Sequence, residues 1–186
     1  MSALTTLAAG GPVIPNYSSQ SSSCVVHNHF LCTEWISRNW SPILWPALRQ
    51  HVYLVALAVA VGFLIATALA LASYRYRFLE RPTLLVTTFL YTIPSLALFE
   101  LLVAPVGPNV YAAEIALVIY TLLILFRNIL TGLQSVPADV VDAATGMGMS
   151  RGQALVRVEL PLAVPAIIAG LRIAVVSTIA LATIVY

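Results

Sequence analysis

The chain has no lysine. All nine of its cations are arginine, set against seven Asp and Glu for a formal net charge of +2. Charge of either sign is scarce: 9% of the 186 residues, where soluble domains carry about 25%. No basic tract with interleaved aromatics occurs, so nucleic-acid binding has no support. No G-x-x-x-x-G-K-[ST] loop is present, so the chain itself is not expected to hydrolyse ATP or to carry a cofactor. Residues 1–15 hold no Lys or Arg and only a short apolar patch, so no signal peptide is expected there.

Cysteine is nearly absent too. Cys24 and Cys32 stand in CVVHNHFLC, beside His27 and His29. Three readings are open: two apolar thiols, a Cys/His metal site, or a disulfide. The spacing fits no strong zinc pattern, and a disulfide is favoured if this tail lies outside the cytoplasm.

What the chain has in abundance is apolar sequence. Hydrophobic residues make up 60% and mean hydropathy is +0.95, which a water-soluble fold of this size cannot bury. An all-α membrane protein with four spans is expected. Span 1, from Val52 to Tyr74, carries no charge and is long enough at ~1.5 Å per residue to cross a core of ~30 Å. Span 2 runs from about Pro82 to Val103, with Pro94 expected to kink it or unwind a turn. Span 3 runs from about Val110 to Gly132, and span 4 from about Leu160 onward. Residues 1–48 read as a partly flexible tail and residues 49–186 as the membrane domain.

Arginine orients the spans. Arg75, Arg77 and Arg81 follow span 1, and the 132–160 loop carries Arg151 and Arg157, with Arg127 close by. The 104–110 loop carries none. By the positive-inside rule the Arg-rich loops are cytoplasmic and the N-terminal tail is extracytoplasmic. Arg38 and Arg49 weigh slightly against this.

The loop 137–160 is the polar exception. Ser135 and Pro137 are suited to start a helix, with Asp139 and Asp142 in its early turns. Val140, Ala144 and Met147 make one apolar stripe. Gly148 supplies a stop, and Ser150-Arg151-Gly152-Gln153 has the capping-box pattern that restarts a helix. The expectation is helix, Gly turn, helix, either resting on headgroups or docking into a soluble partner.

These residues resemble the permease subunits of ABC importers, whose cytoplasmic motif is E-A-A-x3-G-x9-I-x-L-P. Here it reads Asp142-Ala143-Ala144, three residues, Gly148, nine residues, Val158, one residue, Leu160-Pro161. Asp replaces Glu and Val replaces Ile. YTIPSLALF, LFRNILTGLQSVP and VELPLAVPAIIAGLRIA are similar to the branch that imports glycine betaine, choline, carnitine and proline betaine. The likeness covers about residues 49 to 184. It implies a type I ABC importer (MetI-like) bundle in a bacterial inner membrane. It also implies an ABC ATPase dimer gripping Asp142, Ala143, Ala144, Gly148, Leu160 and Pro161, a second permease subunit and an extracytoplasmic binding protein. The family continues into a fifth core span; four are found here, so the sequence is expected to be a fragment or a truncated product. The alternatives are a permease for another solute class, or a membrane subunit that moves nothing.

Within that resemblance the substrate path runs along spans 2 to 4, with Tyr91, Thr92, Pro94, Ser95 and Arg172 as candidate residues. Tyr91 and Tyr120 have faces for a quaternary ammonium through cation–π contact. Glu114 and Arg127 are expected to snorkel to opposite interfaces. Arg172, eleven residues past Pro161 and so about 16 Å deep, is expected to face the bundle, with Glu100 as one candidate partner. His51, Ser95 and Asp142 fall at different depths, which excludes a hydrolase triad.

Overall fold

In a computed structural model, residues 33–107 and 109–185 are described. Cys24 and Cys32 lie outside them, as does most of the N-terminal tail. The chain divides at Arg49/Gln50 into two units.

In the first unit, α1 (Thr33–Asn39) carries an exposed Arg38–Glu34 ion pair at 2.6 Å. At i,i+4 such a pair contributes ~0.3–0.5 kcal/mol. A five-residue π turn, Trp40–Leu44, follows, and α2 (Trp45–Arg75) begins.

The regular structure of the second unit is all helical among its described residues. After α2 come a 3-10 turn at Arg77–Leu79, then α3 (Glu80–Thr92), α4 (Ser95–Val106), α5 (Val110–Gln134), α6 (Ala138–Gly146) and α7 (Arg151–Ala154). A second π turn, Leu155–Glu159, leads into α8 (Leu160–Val185). Three helical stretches are long and apolar enough to cross a membrane; α3 and α4 make a fourth crossing if the pair, bent by 96°, counts as one. Each π turn stands two residues before a proline, Pro46 or Pro161, and the first also contains Pro42. A proline ring clashes with the carbonyl four residues back, and an i→i+5 turn relieves that contact without ending the helix.

α5 is the axis. Asn109 caps it, accepting from the amides of Tyr111 at 3.0 Å and Ala112 at 3.2 Å, which fixes its start where the apolar run begins. Its sides are buried along most of its length, from Ala112 to Leu133. What packs there is small. α2 offers Ala58, Gly62, Ala66 and Ala70 at every fourth position, all buried. α8 offers Ala166, Gly170, Ala174, Thr178 and Ala182 at the same interval. In lipid no hydrophobic force drives helices together, so close backbone approach through small residues is what makes dispersion contacts dense. Three positions leave no room for a Cβ: one at Gly62 would stand 1.9 Å from Thr121 Oγ1, one at Gly170 2.4 Å from Asn128 Cβ, and one at Gly132 2.9 Å from Ala166 Cβ. Phe126, Leu125, Ile129 and Leu133 fill the space between the small-residue ladders.

The outer faces stay apolar and exposed, as at Leu64, Leu85, Phe89, Leu101 and Val176. In water this would drive aggregation; against acyl chains it is the expected surface.

Candidate functional site

Two features break the regular packing. The first is the interruption between α3 and α4. Ile93 leaves the helix at φ −67°, ψ 128° and Pro94 continues extended at φ −56°, ψ 135°. Pro94 has no N–H and disfavours a helical residue before it. The freed Ile93 carbonyl accepts a hydrogen bond from the Tyr120 hydroxyl on α5, and the Tyr91 ring meets the Tyr120 ring edge-on, with centroids 5.6 Å apart. Tyr120 is buried among Leu98, Ala116 and neighbouring apolar residues. It therefore braces the break, and of the two tyrosines only Tyr91 is exposed.

Tyr91 also opens onto a cavity of about 420 Å³ shared with Arg127, Asn128, Thr131 and Ile173. Thr92, Pro94, Ser95 and Arg172 do not line it. Thr92 donates back to the Phe89 carbonyl at 2.7 Å. The polar group on α5 was absent from the sequence-based path. Its signal was three polar residues, Arg127, Asn128 and Thr131, within five positions of an apolar span.

Charged side chains in the spans differ from expectation. Arg172 is exposed on the outer side of α8 and forms no ion pair among the described residues; Glu100 is exposed as well. Both lie on helix faces turned away from α5, so the inward Arg172 and its pairing with Glu100 are not found within this protomer. Glu114 does not snorkel. Both of its carboxylate oxygens are buried and without a hydrogen-bond partner among the described residues.

The second feature is the loop at the Arg-rich end. Pro137 occupies the cap position of α6, and Asp139 sits in its first turn. Ser135 does not start this helix. It ends α5, its hydroxyl donating to the Gly132 carbonyl at 2.8 Å. The last carbonyls of a long apolar helix lack partners, and the nearest hydroxyl goes to them.

α6 closes in a Schellman arrangement. The Gly148 amide donates to the Thr145 carbonyl at 2.9 Å and the Met149 amide to the Ala144 carbonyl at 3.2 Å, with Gly148 at φ +86°. Helical geometry stops at Gly146, so the expected stripe is cut short. Val140, Val141 and Ala144 turn inward, whereas Met147 is 73% exposed. Asp142 and Ala143 are exposed, and Ala144 is 1% exposed. Adjacent members of the motif thus have opposite faces.

The capping box forms as expected. The Ser150 hydroxyl accepts from the Gln153 amide at 3.4 Å, and the Gln153 side chain accepts from the Ser150 amide at 2.9 Å. α7 then runs through the π turn into α8, so Pro161 lies inside a continuous helix that joins the loop to the span. Gln134, at the end of α5, donates to Glu80 at the start of α3 across 3.1 Å, tying the broken span to the same end of the bundle.

An all-α bundle of apolar helices, with a proline-broken helix pair and a capped polar loop at its cationic end, has the makeup of an integral membrane protein. The chain belongs to the family of binding-protein-dependent transport system inner membrane components, whose profile matches residues 49–186. Its fold is the MetI-like type I ABC importer bundle, and the family is one of transport permeases, not enzymes. It is 41% identical over 135 residues to the osmoprotectant import permease protein OsmW of Salmonella typhimurium, covering 70% of this chain and 63% of that protein. It is 34% identical to the carnitine transport permease protein OpuCB of Listeria monocytogenes, covering 72% of this chain and 62% of that one. It is 37% identical over 153 residues to the glycine betaine/carnitine/choline transport system permease protein OpuCD of Bacillus subtilis, covering 81% of this chain and 65% of that one. The chain thus spans just under two thirds of the length of these relatives.

Proposed function

We propose that this protein is a permease subunit of an ATP-driven importer and forms part of the membrane path for quaternary-amine osmoprotectants such as glycine betaine, choline or carnitine. The observation that carries the proposal is the loop from Asp142 to Pro161. It has the spacing of the ABC permease motif and folds as two capped helices around Gly148 at the Arg-rich end. The names of OsmW and OpuCB support the solute class.

In this reading the loop faces the cytoplasm and the N-terminal tail is extracytoplasmic. An ABC ATPase dimer grips α6 on its exposed face, through Asp142, Ala143 and Met147. Ala144, buried beneath, sets how close α6 lies to the bundle, while Gly148, Leu160 and Pro161 carry the displacement into α8. A second permease subunit and an extracytoplasmic binding protein complete the machine. The permease needs no cofactor of its own, because ATP binds the partner. The substrate meets the broken span at Tyr91, Thr92, Pro94 and Ser95, where a proline-interrupted backbone is tolerated beside a polar cavity. Arg172 faces that path or the second subunit.

The test is co-purification with the ATPase of an osmoprotectant importer, together with uptake of radiolabelled glycine betaine by the reconstituted complex. Ala143→Glu places a charge on the exposed face without touching the core and should abolish co-purification. Retained binding by both Ala143→Glu and Met147→Glu overturns the docking assignment.

A further inference from the structure

A cavity of about 740 Å³ lies behind α6, between the loop and the end of α2. That size is within the ~300–1,000 Å³ typical of small-ligand sites. Two of the polar atoms that line it are buried and have no hydrogen-bond partner among the described residues: Ser73 Oγ and Glu159 Oε2. Their residues are 1% and 5% exposed. A buried polar atom without a partner costs about 1–3 kcal/mol, more for a charged group. The Tyr74 side chain lines the same cavity and bonds the Glu159 carboxylate, but among the described residues Glu159 Oε2 still lacks a donor and the Ser73 hydroxyl lacks a partner of either kind. The rim has the opposite character. Arg75, Arg77 and Arg151 line the same cavity and are exposed, outnumbering the exposed Asp142. Beside the rim, Tyr76 and Phe78 are exposed, 52% and 74%, at the end of a span where aromatic rings sit at headgroup depth.

A ligand that fits must be anionic where it meets the rim and must carry hydrogen-bond donors where it reaches the floor, and a cationic N–H donor meets the Glu159 carboxylate more strongly than a neutral hydroxyl does. A quaternary ammonium has no N–H and cannot serve Glu159. A lone Lys or Arg side chain from a protein has no anionic group for three arginines. We infer that this cavity binds the headgroup of a primary-ammonium phospholipid, with its phosphate among Arg75, Arg77 and Arg151 and its ammonium donating to Glu159 and Ser73. A bound headgroup would then touch α2, α6 and α7 together, so lipid composition would set how firmly the loop is held. The inference rests on reading the Arg-rich end as the headgroup-level end of the bundle, and not on ATPase docking.

The test uses the full chain purified alone in detergent, with native mass spectrometry reading lipid retention. Phosphatidylethanolamine should be retained at least tenfold better than phosphatidylcholine, which keeps the phosphate and loses every N–H. Glu159→Gln removes the carboxylate charge and should cut that preference at least fivefold, leaving phosphatidylglycerol retention unchanged. Arg151→Gln should weaken both phosphatidylethanolamine and phosphatidylglycerol. Should Glu159→Gln fail to fold, Ser73→Ala reads the same floor and should lower the preference. Equal retention of the ethanolamine and choline lipids overturns the proposal. So does a preference that survives the floor substitutions, or phosphatidylglycerol bound best. Competition by free phosphoethanolamine at equal concentration would assign the site to a soluble ligand and overturn the lipid. No ATPase or transport enters these measurements, so their failure and that of the transport reading are separable.

Discussion

The Tyr120 hydroxyl donates to the Ile93 carbonyl, joining the middle of α5 to the point where the second crossing breaks. One side chain thereby satisfies the backbone group that Pro94 leaves without a helical partner, and it also holds Tyr91 in edge contact at 5.6 Å.

Tyr120→Phe keeps the ring contacts and deletes that donor. Interhelical hydrogen bonds in membranes average about 0.6 kcal/mol, with about 1.7 at the upper end. A loss at the high end is expected, because the Ile93 carbonyl has no helical substitute. Thermal unfolding in detergent should show the drop. An unchanged Tm would mean that water replaces the hydroxyl and that the break is solvated.

Gly146 and Gly148 should respond oppositely to alanine. A Cβ meets nothing within 4 Å at either position, so only the backbone distinguishes them. Gly146 ends α6 in helical geometry, and Gly146→Ala should stabilise by up to about 1 kcal/mol. Gly148 sits at φ +86°, where an L-residue costs roughly 1–2 kcal/mol, so Gly148→Ala should loosen the Schellman turn. Amide exchange at Gly148 and Met149 reads the difference. Equal responses would show that the turn is not a left-handed glycine turn in solution.

Ser150→Ala removes the acceptor for the Gln153 amide at the start of α7. N-cap losses of this kind cost about 0.5–2 kcal/mol. Because the bonds are reciprocal, Gln153→Ala combined with Ser150→Ala should cost less than the sum of the two. Additive losses would show that the box is not a cooperative unit.

Gly62→Ala drives a methyl into Thr121 Oγ1, and Thr121→Ala should relieve it. The two substitutions together should be less harmful than Gly62→Ala alone, with a coupling of ~0.5–3 kcal/mol. A double variant as unstable as Gly62→Ala would place the clash elsewhere.

Much of this fold is legible in the sequence, and what is legible and what is not divide on physical grounds. Span positions follow from apolar runs long enough to cross lipid, and the Ser150 box and the Gly148 stop follow from local backbone demands that no distant contact overrides. Side-chain direction is different. Ser135 was expected to open a helix and closes one, because it is also within reach of α5's unsatisfied carbonyls. Met147 was expected on the stripe that Ala144 shares, but the helix ends one residue before it, so its phase is not inherited. Glu114 was expected at the interface, yet its carboxylate is buried by tertiary packing that the sequence does not display. The small-residue ladders on α2 and α8 were present in the sequence, at Gly62 and Gly170 among others, and the period-four rule for membrane helices would have found them.

Arg172 is the sharpest remaining case. A charge within a span costs at least about 2.5–3.5 kcal/mol on insertion scales, and this guanidinium is exposed with no ion-pair partner among the described residues. A group held at such cost without a partner in its own protomer should find one outside it, in a polar lumen or on a second subunit. Arg172→Leu should therefore leave the thermal stability of the isolated chain equal or slightly raised, since no internal bond is lost. The same substitution should reduce subunit association or solute uptake by tenfold or more. Cross-linking of paired subunits and uptake of radiolabelled glycine betaine separate the two roles: lost pairing assigns Arg172 to the interface, and lost uptake with pairing intact assigns it to the path. A stability loss in the isolated chain would show that Arg172 turns inward after all, bonded within its own bundle.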